Sequence, residues 1–229
     1  MADDVDLDFT GTLAELALRR PVFHSERDFQ HAFALQLQLR HPRAQIRLEP
    51  RPRRGVHLDL LIHASGERTA VELKYPLAGF QGAAGGESFD LPHQSANDIG
   101  RHDVIGDIVR VETLLADGYA DRGYVLVLTN DGSYWRSSPR PDTIDAAFRI
   151  HEGRVLEGTL SWAARAGRGT TSGRDIPLAL TGQYPCHWRD YSQATASSGR
   201  LAQFRYLLLA VIPHGNGGQT RDHRVGDSS

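Results

Sequence analysis

The sequence predicts an α/β fold, and three observations carry that prediction. A capped, amphipathic segment near the N-terminus reads as a helix. Three short segments with a period of two follow it and read as a β-meander. A second long apolar helix then leads into a continuous apolar run, the mark of a strand buried on both faces.

The elements justify themselves in order. Thr12 to about Arg19 carries Leu13, Leu16 and Ala17 on one stripe, with Pro21 beyond its end. In "HSERDFQHAFALQLQLRHP", Ser25 stands as N-cap with Asp28 three residues on, a capping-box pattern. Phe29, Phe33 and Leu37 recur every four residues, and His41-Pro42 ends the helix. From Gln45 the period becomes two: "QIRLEPRP", "VHLDLLIH" and "TAVELKY" are separated only by short turn sequences. Leu58, Leu60 and Ile62 are expected on one face of the second strand, with Asp59 opposite. Val71 and Leu73 are expected on one face of the third, with Glu72 and Lys74 opposite.

The glycine- and serine-rich stretch from Leu77 to Asn97 shows no periodicity and predicts a long mobile loop. Asp98 to about Ala116 predicts a helix with a wide apolar face from Val104 to Leu115. "GYVLVLTND" follows as a buried strand, so strand, helix and strand imply a parallel pair. "VLEGTLSWAA" and "FRYLLLAVIP" predict further strands, the second extending the sheet, and "RAGRGTTSGR" predicts a loop. The expected organisation is one domain over 1–212, with a core at about 22–131, a C-terminal β extension over 132–212, and a disordered tail over 213–229.

Composition limits the function classes. The 229 residues include 28 acidic and 26 basic side chains for a formal net charge of −2, so no global basic field marks a polyanion binder. A single cysteine, Cys186, excludes an internal disulfide and suits a reducing compartment. The acidic start "MADDVDLDF" has no signal-peptide pattern, and no apolar run approaches the ~20 residues that span a bilayer. A cytoplasmic protein without membrane contact is expected. His57, His63, His93 and His102 match no compact zinc spacing.

One basic residue stands apart: Lys74 is the only lysine, and the other 25 basic side chains are arginine. An ammonium is a compact point charge with a movable pKa, which a guanidinium is not. Lys74 lies two residues after Glu72, and twelve residues separate Glu72 from Asp59. Across a tight hairpin that spacing brings both carboxylates to one face, where their repulsion is relieved by a hard divalent cation. Mg²⁺ takes one or two carboxylates and completes its shell with water and substrate phosphate.

These residues and their order resemble the PD-(D/E)xK nuclease superfamily. Asp59 matches the motif's Asp, and "ELK" matches its (D/E)-x-K. Glu26, at the start of the first long helix, matches an acidic residue that many members place beside the metal. Leu58 stands where the motif has Pro. The resemblance covers Ser25 to Asp131 and implies a restriction endonuclease-like, three-layer α/β/α core. It also implies Mg²⁺-dependent hydrolysis of phosphodiester bonds in DNA, with Mn²⁺ able to substitute. Asp59 and Glu72 would hold the metal, Lys74 would position or activate water, and Glu26 would assist. Cutting both strands at one site would favour a homodimer. A non-cleaving nucleic-acid-binding or regulatory module on the same fold is the rival expectation.

Arg51, Arg53 and Arg54, just before Asp59, are the candidate phosphate contacts; Arg165, Arg168 and Arg174 are a weaker group. Asp103 and Asp107 read as a solvated polar stripe with Arg110 paired to Asp107, although a site-facing role is open. Tyr184, Trp188 and Tyr191 read as core rather than as a base-stacking platform.

Overall fold

The computed structural model describes residues 7–94 and 96–212. Two helices open the chain. Helix α1 spans Phe9–Arg19 and is capped by the Asp8 carboxylate on the Gly11 N–H; α2 spans Glu26–Arg40. Ser25 caps α2 by accepting from the Asp28 N–H, while Asp28 turns back to the His24 N–H. Phe29, Phe33 and Leu37 are fully buried on one stripe of α2, each burial contributing ~1.5–3 kcal/mol before entropy.

Strands β1 (Gln45–Leu48), β2 (Leu60–Ala64) and β3 (Glu67–Lys74) form the expected antiparallel meander. The β2–β3 turn is the pair Ser65-Gly66, both at positive φ, the backbone that two-residue hairpins require. Two details differ from expectation. Strand β1 stops at Leu48 because Glu49 adopts φ 48°, and β2 starts only at Leu60, so Asp59 immediately precedes the strand. The irregular backbone before Leu60 also turns Leu58 to the opposite side of the sheet from Leu60 and Ile62.

The segment expected to be a mobile loop is instead a hairpin: β4 (Ala78–Ala84) and β5 (Glu87–His93), joined by Gly85-Gly86 at φ 58° and 81°. Phe80, Phe89 and Leu91 are buried along it. Helix α3 (Asn97–Ala116) then leads to β6 (Arg122–Thr129), which pairs parallel to β3, as the strand–helix–strand order required.

The C-terminal region is not an appendage. Strand β7 (Val155–Leu156), β8 (Thr159–Leu160), β9 (Leu178–Ala179) and β10 (Tyr184–Pro185) are two-residue pieces, so "VLEGTLSWAA" yields less strand than expected. Arg168–Thr171 is a single helical turn within the arginine-rich loop. The long strands β11 (Trp188–Ala196) and β12 (Leu201–Val211) enter the main sheet, whose order is β1-β2-β3-β6-β12-β11-β4-β5. Three residues join β3 to β4, and extended chain from Lys74 to Ala78 reaches at most ~14 Å. Yet β4 stands four places from β3, ~19 Å across a flat sheet at ~4.8 Å per strand. The sheet must therefore curl, and this mixed α/β architecture wraps one core inside the curl.

That inner core packs α1 and α2 against Leu60, Ile62, Val71 and Leu73, together with Phe80, Phe204 and Tyr191. A second core on the other face packs α3 against Ala70, Val125, Val127 and Leu207. Gly123 allows this contact, since a Cβ there would lie 2.1 Å from the Val111 side chain. No described helix is long and apolar enough to cross a membrane. The tail expected to be disordered lies outside the described residues.

Candidate functional site

Alternation along β3 points Val71 and Leu73 into the inner core and leaves Glu72 and Lys74 on the α3 face. Leu60 pairs with Val71, so the next pair outward sets Asp59 beside Glu72. Asp59 is anchored three times: its Oδ2 accepts from the Leu73 N–H at 2.7 Å, and its carbonyl accepts from Gln30 Nε2 and from the Glu49 N–H, each at 2.9 Å. Glu26, the first residue of α2, is exposed, and its Oε2 accepts from the Tyr75 N–H at 2.9 Å. That bond ties the helix start to the exit of β3, next to Lys74.

Helix α3 completes the cluster. It runs antiparallel to β3, so just before Val111 it faces Glu72 and Lys74 with Asp107 and Arg110. Lys74 Nζ lies 3.0 Å from Asp107 Oδ2. Arg110 Nη1 lies 2.7 Å from Glu72 Oε1 and 2.8 Å from Asp107 Oδ1. The acids are hidden and the bases reach water: Glu72 and Asp107 are 3 % and 2 % exposed, Lys74 and Arg110 26 % and 40 %. Asp107 is thus no solvated stripe, although its pairing with Arg110 is as expected. It lies beside Val104, Ile108 and Val111 on the helix, and that placement within an apolar face was the signal for its burial. Asp103 is half-exposed and pairs with His102 and Arg174.

Electrostatics set this cluster apart. Burial, then the nearby Asp107 and Asp59 charges, push the Glu72 carboxyl up to about 9, against the opposing pull of Arg110. Burial also raises Asp107, with Lys74 and Arg110 working against it. For Lys74, burial works downward, but Asp107, Glu26 and Asp59 outweigh it and hold the ammonium above its ordinary range. Lys74 is therefore a fixed positive charge here, suited to orienting water or stabilising negative charge rather than to accepting a proton.

Among the described residues no group of three or more His, Cys, Asp or Glu side chains is arranged to hold a metal. Mg²⁺ asks for less, since two carboxylates with water and phosphate suffice. The donor chemistry of Asp59 and Glu72 fits that demand. Among the described residues four carboxyl groups, Glu26, Asp59, Glu72 and Asp107, face the two bases Lys74 and Arg110.

The three arginines before Asp59 are all exposed, but they differ. Arg53 Nη1 is held 2.5 Å from Asp117 Oδ2, beyond the end of α3, whereas Arg51 and Arg54 extend into solvent. In the second group, Arg165 and Arg168 are exposed and Arg174 is drawn to Asp103. Tyr184, Trp188 and Tyr191 are buried, as core residues. Two hollows of about 840 and 250 Å³ lie elsewhere, the first between the β4–β5 hairpin and β11, the second beside β12; neither gathers acids. No family model, curated protein or solved structure matches this chain.

Proposed function

We propose that the chain is a Mg²⁺-dependent nuclease of PD-(D/E)xK type that hydrolyses phosphodiester bonds in DNA, on a restriction endonuclease-like core. The observation that carries this reading is the convergence of Asp59, Glu72 and Lys74 on one sheet face, where the acids Glu26, Asp59, Glu72 and Asp107 outnumber the bases Lys74 and Arg110. The order helix, meander, helix, parallel strand, with the β4–β5 hairpin inserted before the second helix, supports it, and so does the placing of the only lysine at an acid cluster.

Asp59 and Glu72 would hold Mg²⁺, or Mn²⁺ in its place, through carboxylate oxygens. The metal would supply Lewis acidity at the phosphate and lower the pKa of a bound water. Lys74 keeps its proton and holds the attacking water or balances charge developing on the phosphoryl oxygens. Glu26 fixes the backbone at Tyr75 and so the reach of Lys74. Arg51 and Arg54 would contact backbone phosphates, which set register without reading sequence. Arg53 would do so only by leaving Asp117.

A second reading keeps the nucleic acid and drops the chemistry. It is favoured by the pairing of Lys74 and Arg110 with Asp107 and Glu72, which already gives both buried acids a partner. One experiment separates the two. Wild-type protein and Lys74→Arg are incubated with plasmid, linear duplex and single-stranded DNA in Mg²⁺, Mn²⁺ or EDTA. Metal-dependent cleavage by wild type alone is expected; DNA retention on a gel without cleavage in any metal would favour the binding module.

A further inference from the structure

Arg110 meets its two acids in an unusual way. A guanidinium commonly grips one carboxylate through two parallel N–H bonds. Here a single nitrogen, Nη1, touches Glu72 Oε1 at 2.7 Å and Asp107 Oδ1 at 2.8 Å. It lies where two buried carboxylates from different elements converge, while the side chain remains 40 % exposed. Asp107 divides its oxygens between the two bases, Oδ1 to Arg110 and Oδ2 to Lys74. Arg110 can therefore leave without disturbing the Lys74 contact.

Resting on the nuclease reading, we infer that Arg110 is a displaceable counter-ion. It holds the place of the divalent cation at Glu72 in the metal-free protein, while Asp107 keeps Lys74 in position. If Arg110 swung out alone, the buried Glu72 carboxylate would lose a cation contact of 2.7 Å. A divalent cation removes that penalty, so metal entry and Arg110 departure are one exchange. The arrangement makes folding independent of metal and makes metal affinity lower than the acids alone would give.

The test measures Mn²⁺ binding to the full chain without DNA, by the electron paramagnetic resonance signal of free Mn²⁺. Wild type is compared with Arg110→Gln and Arg110→Met, with melting curves as the control of folding. Removing a competing charge at contact distance is expected to lower Kd roughly tenfold or more in both variants. A Kd equal to or weaker than wild type in folded variants overturns the inference and leaves the nuclease reading standing. No saturable Mn²⁺ binding in any of the three proteins overturns both. Should the variants not fold, diamagnetic Mg²⁺ is titrated into ¹⁵N-labelled wild type and the Arg110 Nε–H resonance followed. The inference requires that resonance to move with saturation; a fixed resonance while others saturate contradicts it.

Discussion

Two arginines of α3, nine positions apart, face buried acids, and the outcomes are opposite. Arg101 lies 2.5 Å from Asp145, with both side chains under 10 % exposed, and Arg149 stands 3.8 Å from the same carboxylate. Burial pushes Asp145 upward, but hydrogen bonds from Thr143 and Arg101 and the charges of Arg101 and Arg149 outweigh it and hold the carboxyl below its ordinary range. There one acid has two cations. At Arg110 one guanidinium serves two acids, and Glu72 rises to about 9. The first arrangement is what a fold needs from a buried ion pair. The second leaves Glu72 shifted far above the ordinary carboxylate range, as perturbed acids at functional sites often are.

The largest expected effect lies at the comfortable pair. Arg101→Met leaves Asp145 buried with only the more distant Arg149, and breaking such a pair costs ~3–5 kcal/mol. Chemical denaturation of wild type and variant measures this. A loss below 1 kcal/mol would make the pair ornamental and the contrast empty.

Next comes Lys74→Arg, which keeps the charge but moves it by an ångström or more. A misplacement of that size can reduce the rate ~10²-fold. Cleavage rates at saturating Mg²⁺, with melting temperature unchanged, would bear this out. Wild-type rates would mean that the only lysine is incidental.

Glu72→Gln sharpens the comparison because its effect on stability has the opposite sign to Arg101→Met. Gln removes the cost of holding a proton that the unfolded chain has lost, so the melting temperature should rise in EDTA at pH 8, by ~2–4 °C for each kcal/mol relieved in a chain of this size. Activity should be lost in the same variant. A fall in melting temperature would show that the Glu72 carboxylate is stabilising after all.

The smallest effect is spread over pH. Glu72 binds its proton more tightly folded than unfolded, so the native state holds more protons between the ordinary carboxylate value of 4.5 and about 9. Stability is therefore greatest below the unfolded pKa and is lost as pH rises through that window. Asp107, also raised, contributes with the same sign. Melting temperatures of metal-free wild type should decline across the window, and the slope should flatten in Glu72→Gln. A slope identical in the two proteins would assign the titration elsewhere.

What the sequence made legible follows from locality. Asp59, Glu72 and Lys74 are linked by one tight turn and an alternating ladder, so their shared face follows from the order of residues alone. The four-residue spacing of Phe29, Phe33 and Leu37 likewise carried α2. The β4–β5 hairpin was missed because its glycines read as mobility. Gly85-Gly86 between strands bearing Phe80, Phe89 and Leu91 is instead a two-residue hairpin turn. Asp107 differs from the expected solvated stripe because it sits within the apolar face of α3, beside Val104, Ile108 and Val111. The apolar run "FRYLLLAVIP" carried β12 as a strand extending the sheet, but its place beside β6 had no local signal, since it pairs residues about 80 positions apart.

The central claim is that the acids around Glu72 are held in excess for a divalent cation. Melting temperatures of wild type and Asp59→Asn, titrated with Mg²⁺ and Mn²⁺ at pH 8, test it most directly, since a ligand of the folded state alone stabilises it as concentration exceeds Kd. The account predicts a rise with metal in wild type and little or none in Asp59→Asn. An equal rise in both proteins, or none in either, would contradict it.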